Sequence, residues 1–221
     1  MSLTASPALA APAASARMAA TVAFAGGLVS LVLVPALAIV RPDLAPGAHV
    51  MSEYAIGYAP LGILFFLSQS IGCLALAIAL AGVADARGIR VGIWLLMGAA
   101  LGLGLAVFCP MDALTTPPGQ ETIQGTLHGA SALIGIPSFI AATLVLASSL
   151  SKKPEWRSAG PWLRAFAHAT WIGLALMIAC MVLLLAAQVT LMGELVGYAN
   201  RLLVIAYALF LMVAAAPLLR R

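Results

Sequence analysis

The sequence predicts an all-α membrane protein: a bundle of six transmembrane helices with both termini on the cytoplasmic side. Three observations carry this expectation. First, 63% of the 221 residues are hydrophobic and 8% are charged, with a mean hydropathy of +1.10. A soluble surface takes about a quarter of its residues charged, so this chain belongs in a bilayer. Second, the apolar residues gather into six runs, each near the ~20 residues that cross a hydrocarbon core. Third, the basic residues divide unevenly between the links. With the N-terminus inside, Arg17, Arg87, Arg90, Lys152, Lys153, Arg157, Arg164, Arg220 and Arg221 all fall inside, and Arg41 and Arg201 are left outside. Such a bias sets orientation in multipass proteins. Asp43, Glu53, Asp112, Glu121 and Glu194 fall on the outer side, Asp85 and Glu155 on the inner. The expected location is the inner (plasma) membrane, with membrane lipids as surroundings. The net charge of +4 is scattered singly or in pairs between spans, so no nucleic-acid partner is expected.

Residues 1–18 form the expected cytoplasmic tail, Ala-, Ser- and Pro-rich without period up to Arg17. Residues 19–219 form one transmembrane domain, and Arg220 and Arg221 a basic C-terminus. The first span runs from about Ala19 to Val40. Ala36-Leu37-Ala38 resembles a signal-peptide cleavage site, but the apolar run exceeds the ~7–15 residues of a signal core, so a retained helix is expected. The first link, Arg41 to Gly57, holds the helix breakers Pro42, Pro46 and Gly47 and delivers Ser52, Glu53 and Tyr54 to span two. That span, about Tyr58 to Ala84, carries a polar island at mid-depth, Ser68-Gln69-Ser70. Span three, about Val91 to Phe108, contains Gly98-x-x-x-Gly102, a spacing that lets helices approach closely within lipid. Span four runs from about Gly125 to Ser148 with Pro137 inside, where a kink is expected. The next link interleaves Lys152, Lys153, Arg157 and Arg164 with Trp156 and Trp162, a headgroup-level anchor. Pro161 sits early in span five, which runs to about Ala187. Span six runs from about Asn200 to Leu219.

The stretch Cys109 to Ser131 between spans three and four carries much of the polar chemistry at the outer end. Asp112 sits where the chain leaves span three. It reads as a solvated, helix-ending acid or as part of a site. His128 lies about one turn inside span four, where an ionisable group is costly and faces a cavity or a partner. Arg201 sits on the side that disfavours cations and at a helix N-terminus, where the dipole repels them. Those two penalties point to a compensating carboxylate, with Glu53 and Asp112 nearest in depth. Snorkelling is the plainer account of Arg201. Together, Glu53, Asp112, His128 and Arg201 lie at one level on four helix ends, the expected ligand-binding residues of an outward polar pocket.

The same positions carry a resemblance. Ser52-Glu53-Tyr54 entering span two, Pro110-Met111-Asp112 leaving span three, His128-Gly129 opening span four and Asn200-Arg201 opening span six resemble the prokaryotic membrane family Domain of Unknown Function 998. The likeness covers most of the chain from about residue 19. A Phe commonly precedes the Pro-x-Asp in that family; here Cys109 separates Phe108 from Pro110. The resemblance implies a six-helix membrane fold and brings no established activity.

Several chemistries follow or fall from the residues. A retinal Schiff base needs a lysine within a span, and Lys152 and Lys153 both lie in a link. A bis-histidine haem needs two histidines at one depth, whereas His128 and His168 are separated by much of a ~30 Å core. No HxxxH or HExxH pair fixes two ligands on one helix, so no metal set is assigned and the cofactor stays unknown. Cys73, Cys109 and Cys180 form no CxxC and read as inert thiols. The leading expectation is a pocket for a small polar or lipid-headgroup ligand, Arg201 engaging an anion and His128 responding to pH. The alternatives are a membrane-embedded hydrolase, either metal-dependent through His128, Asp112 and Glu53 or His49, or metal-free with His128 as base for Ser131 or Ser52, and a structural or accessory subunit whose outer charges clamp the helices.

Overall fold

The computed structural model describes residues 14–56, 59–113, 116–117, 119–187 and 189–220. Most of the expected tail, residue 58 at the start of span two, and Arg221 lie outside this set; Ala14 to Met18 already belong to the first helix. Six long helices follow in order: α1 (Ala14–Val40), α2 (Ala59–Ala81), α3 (Arg87–Phe108), α4 (Ile123–Leu150), α5 (Gly160–Ala187) and, after the one-turn α6 (Thr190–Gly193), α7 (Val196–Leu219). All six are long and apolar enough to span a membrane, and the described residues contain no strand.

Backbone groups in hydrocarbon must bond within their own segment, which is why each apolar run becomes one helix. The starts differ from hydropathy alone because caps and turns set them. α4 begins at Ile123 because Thr122, extended at φ −76° and ψ 158°, accepts from the Gly125 amide and caps it. It then runs unbroken through Pro137. α7 begins one turn before Asn200, at Val196.

The helices close into a ring in which α1 packs on α2, α2 on α3, α3 on α4, α4 on α5, α5 on α7, and α7 back on α1. Small residues set the closest approaches. A Cβ on Gly102 of α3 would lie 2.5 Å from the Gly135 backbone of α4, so the two helices touch there main chain to main chain. Across α1 and α2, Ser30 and Ser68 share a hydroxyl hydrogen bond of 2.9 Å. The α4–α5 seam is the thinnest of the ring, bridged between Thr143 and Thr170 at 3.2 Å.

The largest cluster of buried apolar residues joins the N-terminal halves of α1, α3 and α5 to the C-terminal halves of α2, α4 and α7, Ala20, Leu96 and Leu163 beside Leu80, Leu146 and Phe210 among them. Neighbouring helices therefore alternate in direction, and one end of the bundle, holding the start of α1 and the end of α7, is densely filled. Trp156, fully buried in a 3₁₀ turn of the link to α5, seals that end by donating its indole N–H to the Ala214 carbonyl at 2.9 Å. Lys153 pairs there with Asp85 and holds its carboxyl below the ordinary 3.8. Trp162, 61% exposed and stacked on Phe166, stands outward as an anchor does. At the opposite end the apolar filling breaks into two small clusters, and the polar residues occupy what is left.

Candidate functional site

The first link, residues 41–56, is built as a strap across the end opposite the start of α1 and the end of α7. Pro42, Pro46 and Gly47 keep it out of helix, and its own side chains fold it. Arg41 pairs with Asp43 and reaches the Ile56 carbonyl, tying the start of the link to its end. The Tyr54 hydroxyl donates to the Leu44 carbonyl at 2.6 Å. Glu53 turns back to accept from the Val50 amide at 3.1 Å and from His49 Nδ1 at 3.2 Å.

The first turns of α7 moor this strap. Gly197 donates its amide to the Gly47 carbonyl, an approach that leaves no room for a side chain, since a Cβ there would meet the Pro46 oxygen at 2.3 Å. The Asn200 Oδ1 accepts from the Met51 amide at 2.8 Å. Arg201 donates from Nη1 to the carbonyls of Pro46, His49 (2.9 Å) and Gly197 (3.1 Å), its guanidinium 5.0 Å from the centre of the Tyr54 ring. Carbonyl dipoles and a ring face thus answer the cation, where the sequence suggested a carboxylate. Its Nη2 is buried without a hydrogen-bond partner among the described residues.

Asp112 is engaged elsewhere. Its two carboxylate oxygens accept from the Thr122 amide (2.7 Å) and hydroxyl (2.9 Å), and Thr122 caps α4. The acid therefore fixes where α4 starts, and so the depth at which its second turn carries His128. That ring donates from Nδ1 to the Cys109 carbonyl at 2.8 Å. A carbonyl only accepts, so Nδ1 bears the proton and Nε2 is the acceptor of the neutral ring. Phe66 packs its edge against the imidazole, ring centres 5.8 Å apart. Ser131, the expected partner of a His128 base, donates to its own helix at the His128 carbonyl at 2.7 Å, the usual habit of a serine in a membrane helix.

Beneath the strap lies a cavity of about 120 Å³ between α2, α3, α4 and α7. Its floor is the contact of Phe139 with Tyr207. Phe65, Phe66, Ile136, Leu203 and Val204 give it apolar walls, and Ser52, Gln69, His128 and Asn200 its main polar groups. Gln69 is 3% exposed, and its Nε2 is enclosed without a hydrogen-bond partner among the described residues. Turning the amide over puts Oε1 in the same position, so one polar atom stays unmet either way.

Of the four residues singled out in the sequence, His128 is the one among the described lining residues. Glu53 and Arg201 meet in the strap through His49, which pairs with one by its ring and with the other by its carbonyl. Asp112 stands apart at the α4 cap. Gln69 and Asn200 were outside that set, although a glutamine in mid-span and an asparagine beside Arg201 were the signals that mark them. Among the described residues no three His, Cys, Asp or Glu side chains come together as a metal set.

Comparison with known proteins adds one match. A family model described as a protein of unknown function, DUF998, covers residues 24–217. No curated protein and no solved structure matches the chain.

Proposed function

We propose that this chain, which belongs to the DUF998 family of membrane proteins, uses the cavity under its strap to bind a small ligand or a lipid headgroup. The observation that carries the reading is the enclosed amide of Gln69. A buried polar group without a partner costs about 1–3 kcal/mol, and more where hydrocarbon surrounds it. A ligand group that meets it removes that cost. His128 supplies the second polar contact through Nε2. Arg201 and Glu53 act by holding the strap as the roof, and Asp112 by fixing the start of α4. The bias of Lys and Arg toward one set of links supports a cavity on the extracytoplasmic side of the plasma membrane, with both termini inside.

The test is native mass spectrometry of the purified protein beside its Gln69→Leu and His128→Ala variants. A small molecule or lipid retained by the parent is expected, with occupancy falling roughly 2–10-fold in each variant, the loss of one hydrogen bond. If all three carry the same adducts, or none, the cavity is not a ligand site. The outer polar residues then serve only to clamp the helices.

A further inference from the structure

We infer that the ligand of this cavity is a neutral amphiphile with a hydroxyl head, taken sideways from the bilayer through a gap between α4 and α5. The inference rests on the binding role proposed above and specifies its ligand class and route.

The class follows from the lining. The walls are chiefly apolar, and no charged side chain stands among the described lining residues. An ion would therefore lie uncompensated in a low-dielectric site, its desolvation unrepaid. The two polar groups near the head are complementary: Gln69 carries an amide without a partner among the described residues, and His128, with Nδ1 committed to Cys109, has Nε2 as the acceptor of its neutral form. A hydroxyl both accepts and donates, so such a head suits either group.

The route follows from size and packing. The cavity, about 120 Å³, is of the order of one known to hold a benzene ring, roughly 150 Å³. It takes a head and a few carbons, so a longer chain must leave it. The ring is thinnest between α4 and α5, and their side-chain bridge at Thr143 and Thr170 lies on the floor side of the cavity. Toward the strap, α5 leans on α7: a Cβ on Gly173 would touch the Leu203 backbone at 2.7 Å, and Cys180 packs with Val196. No described residue of α5 lines the cavity, whose α4 side runs from His128 through Ala132 and Ile136 to Phe139. Leu133 on α4 is 78% exposed, and Ile172 and Leu176 on α5 are exposed too. The tail can lie along these residues in lipid while the head sits inside.

The experiment uses the full chain in lipid nanodiscs and two photoactivatable 16-carbon alcohols, one with its diazirine near the hydroxyl and one at mid-chain. The head-proximal probe is expected to label 65–69 and 203–204, at least fivefold less in a folded Gln69→Leu variant. The mid-chain probe is expected to label 133–136 and 172–176. An unlabelled alcohol of the same chain should compete, while the matching carboxylate and trimethylammonium should not. Equal competition by either ion overturns the class, and mid-chain label spread evenly around the bundle overturns the route. If 1-hexanol raises the thermal midpoint in a Gln69-dependent way but the long alcohols label nothing, the cavity binds ligands and the lipid route falls. If no probe depends on Gln69, the binding role falls with it.

Discussion

Arg201 offers the sharpest test of how the strap is held. Replacing it with methionine keeps the apolar stem and removes the guanidinium. Nη1 donates to three carbonyls, Pro46, His49 and Gly197, but carries two protons, so about two full charge-assisted bonds are lost. At about 1.5–3 kcal/mol each, the gross loss is about 3–6 kcal/mol. Methionine also removes the buried, unpartnered Nη2, a relief of about 1–3 kcal/mol. At the midpoints of these ranges the net destabilisation is about 2.5 kcal/mol, a fall of about 5–10 °C in thermal midpoint for a chain of this length. Thermal unfolding in detergent measures the midpoint, and hydrogen exchange over residues 45–55 reads the strap, with the Met51 amide losing protection as its Asn200 contact loosens. Arg201→Lys keeps charge and stem without the fork and should recover about half the loss. An unchanged midpoint together with unchanged exchange at Met51 would refute the mooring role. Lost ligand binding on an equally stable protein would instead make Arg201 a direct ligand contact.

The α4 cap makes a second prediction: Thr122→Ala should cost about 1 kcal/mol, seen as a drop of about 2–4 °C. Asp112→Ala should cost a similar amount, and the double variant little more than either, because both act through one network; additive losses would show that the two act separately. The Lys153–Asp85 pair predicts a pH dependence. Lys153 holds the Asp85 carboxyl below its ordinary 3.8, so the contribution of the pair is complete above about pH 4 and is lost as pH falls through the lower, folded value. Midpoints measured from pH 6 down to pH 2 should show a shallower acid limb in Asp85→Asn; an identical limb would remove the pair from the account.

The spans were legible because bilayer thickness imposes one length on every apolar run; Val91 to Phe108 falls within the observed α3, which ends at the same residue. Helix starts were less so, since Thr122 capping α4 depends on Asp112 ten residues earlier, a contact that no periodicity carries. At the site, direction was not readable. Which way Glu53, Asp112, His128 and Arg201 each face depends on helix rotation and on a link rich in Pro and Gly. Arg201 shows the limit best. Its awkward charge was visible in sequence, but its partners are main-chain carbonyls of residues 46, 49 and 197, and carbonyls have no letter in a sequence. Gln69 was visible as a mid-span polar residue; that it lines a cavity took the packing of four helices to define.

The closure of the ring by its last helix bears on how the protein is made. Met51 and its anchor Asn200 are 149 residues apart, and translation runs at about 5–20 residues per second. For about 7–30 s of synthesis the strap has emerged without its moorings on α7, and α1 and α5 each wait for α7 to come between them. The cavity has no Leu203, Val204 or Tyr207 wall until that helix is released. A ribosome stalled before residue 196 would therefore leave five long helices, a strap without its α7 moorings and a cavity open on the side that α7 closes.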